Sequence, residues 1–163
     1  MKLNNKRLKL DEIDRKILNI LQSNAKITNA QLSQDVGLSP APTLERVKKL
    51  EKSGLVKNYH AELNAEMLGL GVQMFVQVTL KGHNKENIQI FTNAIKDVPE
   101  VIECHHVTGA GDFLLKIIST DIPTYQHFML ETISEISVVD SLQSIVILST
   151  FKDSKMLPLP KDD

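Results

Sequence analysis

Apolar residues in the first third of the chain recur every three to four positions, whereas beyond Leu70 many alternate one by one. The first period fits helices with one buried face and the second fits half-buried strands. In LDEIDRKILNILQSNAKIT, Ile13, Ile17, Leu18, Ile20 and Leu21 mark a first helix. Asp11 is placed to cap it, with Glu12 and Asp14 near the positive end of its dipole. Thr28-Asn29-Ala30-Gln31 has the form of a capping box, in which a hydroxyl and an amide side chain each satisfy a free backbone donor. Ala30, Leu32 and Val36 are the expected inward residues of that short second helix, and Gly37 offers the left-handed turn after it.

The stretch GLSPAPTLERVKKLEKSGLV places two prolines at the start of a strongly helical run. Counted from Ser39 as N-cap, Pro40 is the first helical residue and Pro42 the third. The first donors of a helix have no intrahelical acceptor, so two missing N–H groups cost little there. The rings stiffen the helix start and are expected to present Ala41 and Thr43 outward. Leu44, Val47 and Leu50 form the expected buried stripe, with Arg46, Lys48, Lys49 and Lys52 largely off it, and Gly54 closes the helix. Three short helices with a glycine turn and a basic third helix make a helix-turn-helix. The third helix would lie in a DNA major groove, with Ser39, Ala41, Pro42, Thr43 and Arg46 at base edges and Lys48 and Lys49 at phosphates. The same spacing also suits a three-helix cluster that binds no DNA. LVKNYHAEL, which follows, alternates enough to be a short strand or wing.

In VQMFVQVTL, Val72, Met74, Val76, Val78 and Leu80 face one way and Gln73, Gln77 and Thr79 the other. NKENIQIFTNAIKDV carries Ile88, Phe91, Ile95 and Val98 at helical spacing, with Asn84 as cap. EVIECHHVT and DFLLKIIST read as hairpin strands around GAG. DIPTYQHFMLETISEI repeats the helix, capped by Asp121, with Tyr125, Phe128, Met129 and Ile136 packing, and SLQSIVILSTF closes as a strand. The order is βαββαβ, a ferredoxin-like plan. The fold class is therefore α+β: a winged helix-turn-helix in residues 1–62 and a ferredoxin-like domain in 63–163. Both helices cover one sheet face, so Phe75, Ile145 and Ile147 would lie on an open face suited to self-association.

Charge sharpens the division. Residues 1–60 hold twelve Lys and Arg against six acids, and residues 61–163 hold seven Lys against fourteen acids. Arg7, Arg15 and Arg46 all fall in the first part, which suits phosphate contact, although a solvated basic face has the same composition. Cys104 is the single cysteine of 163 residues, which excludes an internal disulfide framework and fits a reducing compartment. No run of ~18 apolar residues suggests a membrane span. The basic start, MKLNNKRLKLDE, lacks the apolar core of a signal peptide, so a cytoplasmic location is expected. Cys104-His105-His106 is a weak metal candidate, because neighbours on a strand point to opposite faces. GAGD precedes a strand rather than a helix, which argues against a nucleotide fingerprint. With no nucleophile–base pair in view, neither an enzyme, a metal nor a cofactor is expected.

LDEIDRKILNILQ, NAQLSQDVGLSPAPTLERVKKLEKSGLV with its following tyrosine, and ECHHVTGAGDFLLKI together resemble the Lrp/AsnC (feast/famine) family of transcriptional regulators, closest to its leucine-responsive branch. The resemblance implies sheet-paired dimers assembling into octamers on DNA in the nucleoid, with an amino acid bound between dimers. By motif match it implies an effector loop of Thr108, Gly109, Ala110, Gly111 and Asp112, preceded by His106. It also implies that Ile122, Ile145, Val146 and Ile147 influence the response. The loop's backbone N–H groups suit an α-carboxylate, Asp112 suits an α-ammonium, and the apolar residues suit leucine or methionine. Ala110 and Gly111 stand where the family commonly has Asp and an aromatic residue, and Phe113 stands where it has Tyr. Without the resemblance, GAGD alone reads more readily as an ordinary hairpin turn than as an effector loop. The rival reading is an architectural DNA-compacting protein whose second domain only multimerises.

Overall fold

Three helices build the first of two units: α1 (Glu12–Ser23), α2 (Asn29–Val36) and α3 (Pro40–Lys52). The structure is a computed structural model that describes residues 9–160; Arg7 and the basic start of the chain lie outside the described residues. Asp11 caps α1 by accepting from the Asp14 N–H, 2.8 Å away. Thr28 caps α2 through the Gln31 N–H at 3.2 Å. The Gln31 side chain donates to Asp35 at 2.8 Å, so only the Thr28 half of the expected capping box is used. Gly37 takes the left-handed conformation at φ 75°, ψ 33°.

The core of this unit is Ile17, Leu18, Leu32, Val36 and Leu50, flanked by Ile13, Ile20, Leu21, Val47 and Val56. Two inward assignments change. Ala30 is exposed while Ser33 is buried, its hydroxyl satisfied by the Ala30 carbonyl at 2.7 Å. Leu44 is 41% exposed, because Thr43 takes the inward position at the helix start. Residues 57–64 form no strand, so the alternation read as a wing strand finds no ladder among the described residues; Tyr59 is held instead by its hydroxyl bond to Glu51, 3.0 Å. Residues 152–160 return to this first unit, where Leu159 packs against the core. The expectation that everything after residue 62 belongs to the second domain fails for that segment.

The second unit contains β1 (Val72–Leu80), α4 (Lys85–Ile95), β2 (Val101–His106), β3 (Phe113–Ser119), α5 (Ile122–Phe128) and β4 (Val139–Val146). The sheet order is β2-β3-β1-β4, with every neighbouring pair antiparallel. This is the ferredoxin-like βαββαβ arrangement. Asn84 and Asp121 cap the two helices, and α5 runs into a π-helical turn, Met129–Ile133. Met74, Val76, Val78 and Leu80 of β1 pack with Phe91, Phe128 and Ile133 in one core, as the alternation requires. β4 starts and ends earlier than the apolar run suggests. Its last rung is the Ile147 N–H donated to Gln73 O at 3.1 Å, and Leu148 and Phe151 beyond it are exposed. On the open face Phe75 lies opposite both Ile145 and Lys116. Lys116 faces Glu103 across 3.6 Å, and Gln73 and Gln77 share the surface, so this face is mixed rather than purely apolar.

Candidate DNA-binding surface and effector loop

α3 begins as its prolines demand. The Ser39 carbonyl accepts the first helical N–H, from Thr43 at 3.3 Å, so neither proline is asked for a donor. The same carbonyl accepts the Thr43 hydroxyl at 3.0 Å. Thr43 is fully buried, which corrects its placement at the DNA surface: it anchors the helix start. Asn29 donates to the Pro40 carbonyl at 2.8 Å and ties the start of α2 to the start of α3. Nothing in the local sequence distinguishes that asparagine from an ordinary first-turn residue.

Arg46 also departs from expectation. Its Nη1 lies 2.7 Å from both Asp11 Oδ2 and Asp14 Oδ1. The side chain is directed to the first turn of α1 instead of a groove. The Asp14 N–H, joined by Arg46, holds the Asp11 carboxyl below the usual carboxylate range against the opposing effect of burial. Asp11, then Asp14, raise the guanidinium in return. Among the residues exposed on α3 and its N-cap are Ser39, Ala41, Pro42, Leu44, Glu45, Lys48 and Lys49. Ala41, Leu44, Glu45 and Lys48 fall on one face by i, i+3 and i+4 spacing. An exposed leucine there offers apolar contact of the kind a thymine methyl takes.

In the second unit, residues 107–112 close the β2–β3 hairpin. The Val107 N–H meets the Asp112 carbonyl at 2.9 Å, and the Asp112 N–H meets Val78 O at 2.8 Å. The Asp112 side chain is buried. One carboxylate oxygen accepts the Leu80 N–H at 2.8 Å and the other faces His83 Nδ1. Burial alone would raise this carboxyl, but the Leu80 N–H, His83 and His106 more than reverse it, and the net shift is downward. Asp112 is thus an anchor between the loop and the end of β1, which corrects its assignment as an open partner for an ammonium group. Thr108, Gly109 and Ala110 are exposed, and Gly109 sits at φ 125°, a conformation that favours glycine. The His106 ring lies 5.0 Å from that of Phe113.

Gly111 is buried, and a Cβ on it would stand 2.5 Å from Gln77 Cγ. The space above this glycine is filled by a side chain from β1. Neither Gln77 nor His83 is singled out by the sequence; both enter only through strand register and the path of the loop after β1.

The remaining effector candidates lie elsewhere. Phe113, at the loop, is opposite Val78, whereas Val146 is opposite Met74 and Ser119, just before α5, is opposite Val72. Ile145 and Val146, each 47% exposed, Ile122, 41% exposed, and half-buried Ile147 therefore sit toward the far end of the sheet from His106 and residues 108–112. Within one chain the two groups do not meet. Cys104 and His106 share a face while His105 turns away to Glu103, 3.0 Å off. Among the described residues no cluster of three or more His, Cys, Asp or Glu is placed to hold a metal, and no helix is long and apolar enough to cross a membrane.

Residues 10–57 match a winged helix-turn-helix DNA-binding domain and residues 73–157 match the Lrp/AsnC ligand binding domain. Over 159 residues the chain is 41% identical to the leucine-responsive regulatory protein of Haemophilus influenzae, covering 97% of this chain and 96% of that one. Over 148 residues it is 38% identical to the leucine-responsive regulatory protein of Escherichia coli, covering 91% and 90%. A solved transcriptional regulator from Neisseria meningitidis, in complex with L-methionine, superposes with a TM-score of 0.88 at 39% identity, covering 92% of this chain and 97% of that one. These relatives are regulators of transcription, not enzymes.

Proposed function

The chain belongs to the Lrp/AsnC family, and from that premise we propose that it is a DNA-binding transcriptional regulator whose affinity for operators, or whose assembly on them, responds to leucine or methionine bound between dimers. The observation that carries this reading is the separation of the two effector groups along the sheet. A ligand touching both the 108–112 loop and the Ile145–Ile147 strand end needs two copies of the chain. The loop of one copy supplies exposed backbone donors at Gly109 and Ala110 for an α-carboxylate. The strand end of another supplies apolar walls for the side chain. Asp112 holds the loop in shape, so the α-ammonium meets loop carbonyls rather than that carboxylate. A methionine-bound relative of the same fold supports an aliphatic or thioether ligand. Asparagine or lysine would bury a polar group beside apolar residues, which costs about 1–3 kcal/mol.

On DNA, a homodimer places two α3 helices about 34 Å apart on a pseudo-palindrome, and octamers join several such sites in the cytoplasmic nucleoid. Calorimetry with leucine, methionine, asparagine and lysine, paired with duplex binding at saturating ligand, tests the proposal. Heat with leucine or methionine and a changed duplex affinity or sedimentation coefficient is expected. Duplex binding and assembly indifferent to every amino acid would favour an architectural DNA-compacting role.

A further inference from the structure

We propose that residues 152–160 form a strap that completes the DNA-binding unit, and that its grip on α1 keeps the α3 surface competent for DNA. The strap carries no helix or strand, and two prolines stiffen its end. Gln22 of α1 serves both backbone groups of Leu157: its Oε1 accepts the Leu157 N–H at 2.6 Å and its Nε2 donates to the Leu157 carbonyl at 3.2 Å. Pro158 and Pro160 carry no N–H that would need a partner, and their fixed φ lowers the entropy lost on docking. Arg15 of α1 donates to the Pro160 carbonyl, half-buried Leu159 packs against the core of the unit, and Lys155 faces Glu62 across 3.4 Å. An amide serving as a two-point backbone clamp, a guanidinium and a leucine packed on the core, all along one short segment, make a built seat rather than a chance contact.

The consequence for DNA runs through α1. Its outer side holds the strap by Arg15 and Gln22, and its first turn holds α3 by the Asp11 and Asp14 bonds to Arg46. A loosened strap frees α1, and a freed α1 loses its hold on the helix expected to enter the groove. The strap also follows β4 directly, so the residues proposed to wall the effector, Ile145–Ile147, lead into it within a few positions of chain. This last step rests on the function proposed above; the strap itself does not.

The test compares the full chain, a chain ending at Phe151, and full chains carrying Leu159→Ser or Gln22→Ala. Amide hydrogen exchange along α1 and affinity for a mixed-sequence DNA duplex at low salt are measured for each. The α1 amides of the shortened chain and of Leu159→Ser are expected to exchange at least ~tenfold faster, as local opening becomes easier. Their duplex affinity is expected to fall ~fivefold or more. A synthetic peptide of residues 152–163 added to the shortened chain restores both. If the shortened chain does not fold, the two point variants carry the comparison. Unchanged α1 exchange in the folded variants overturns the strap, and faster exchange with unchanged duplex affinity overturns its link to DNA. A full chain that binds no duplex, yet shows the exchange difference, overturns the proposed function and leaves the strap standing.

Discussion

Arg46 Nη1 sits 2.7 Å from Asp14 Oδ1, and the Asp14 side chain is only 7% exposed. A basic residue on a helix meant for DNA is thereby spent on the fold. Arg46→Ala leaves a buried carboxylate without its cation and is expected to cost about 2 kcal/mol of stability. Chemical denaturation checks this. A variant as stable as the parent but deficient in sequence-specific binding would return Arg46 to the DNA surface.

Lys48 and Lys49 are exposed on α3. Lys49→Ala is expected to leave stability within about 0.5 kcal/mol and to flatten the slope of log affinity against log salt by about 0.9 for each phosphate it no longer neutralises. Duplex titrations across a salt series read the slope. Lys48 faces Glu45 across 3.6 Å, so part of its charge is already engaged and Lys48→Ala should flatten the slope less.

Gly111 and Gln77 compete for one space. Gly111→Ala forces the Gln77 side chain aside, and overpacking of this kind costs about 1–3 kcal/mol. Combining it with Gln77→Ala removes the obstacle, so the double variant is expected to recover much of that loss. Additive losses in the double-mutant cycle would separate the two residues.

Asp112 gives the second unit an acid sensitivity with a defined sign. Burial pushes its carboxyl up, but the Leu80 N–H, His83 and His106 hold it below the ordinary 3.8. The folded state therefore gains stability that is present above about pH 3.8 and is lost as pH falls through the lower, folded value. Asp112→Asn is expected to be less stable than the parent near neutrality, with the gap narrowing below about pH 4. A constant gap across a melting series from neutral to acid would show that the carboxylate charge is idle.

Both tyrosines resist ionisation when the chain is folded. Partial burial, then the Glu51 carboxylate, pushes Tyr59 up to about 12. Burial also raises Tyr125, against a smaller lowering by its bond to Ser144. Tyr59, one of two tyrosines in the chain, is therefore expected to contribute little phenolate absorbance near about pH 10 until the protein unfolds. Stability is full below the unfolded phenol value and declines as pH rises above it. Tyr59→Phe removes the late-titrating step, and an absorbance titration distinguishes the variants.

The sequence by itself determined the five helices and four sheet strands of the described residues and their order, though not the absent wing strand, because caps, prolines and period are local. Asp11, Thr28, Asn84 and Asp121 each cap the helix they precede, for a side-chain oxygen a few residues from free N–H groups needs no distant partner. The alternation of β1 chose its buried face without help from its neighbours. Pro40 and Pro42 mark the start of α3 by steric rules that hold in any protein. Family motifs carried the DNA and effector assignments for the same reason: they are contiguous in sequence.

Only the tertiary structure decided which charges and polar groups are free. Arg46 reads as a surface cation until α1 brings Asp11 and Asp14 against it from more than thirty positions away. Thr43 reads as exposed until the helix start turns it inward, and Leu44 takes the outward place. Asp112 reads as a ligand partner until the end of β1 supplies the Leu80 N–H and His83. Strand register separated the two effector groups, and chain path returned Leu159 to the first core. Each depends on residues remote in sequence meeting in space, and hydrophobic period carries no record of where a polar side chain will find its partner.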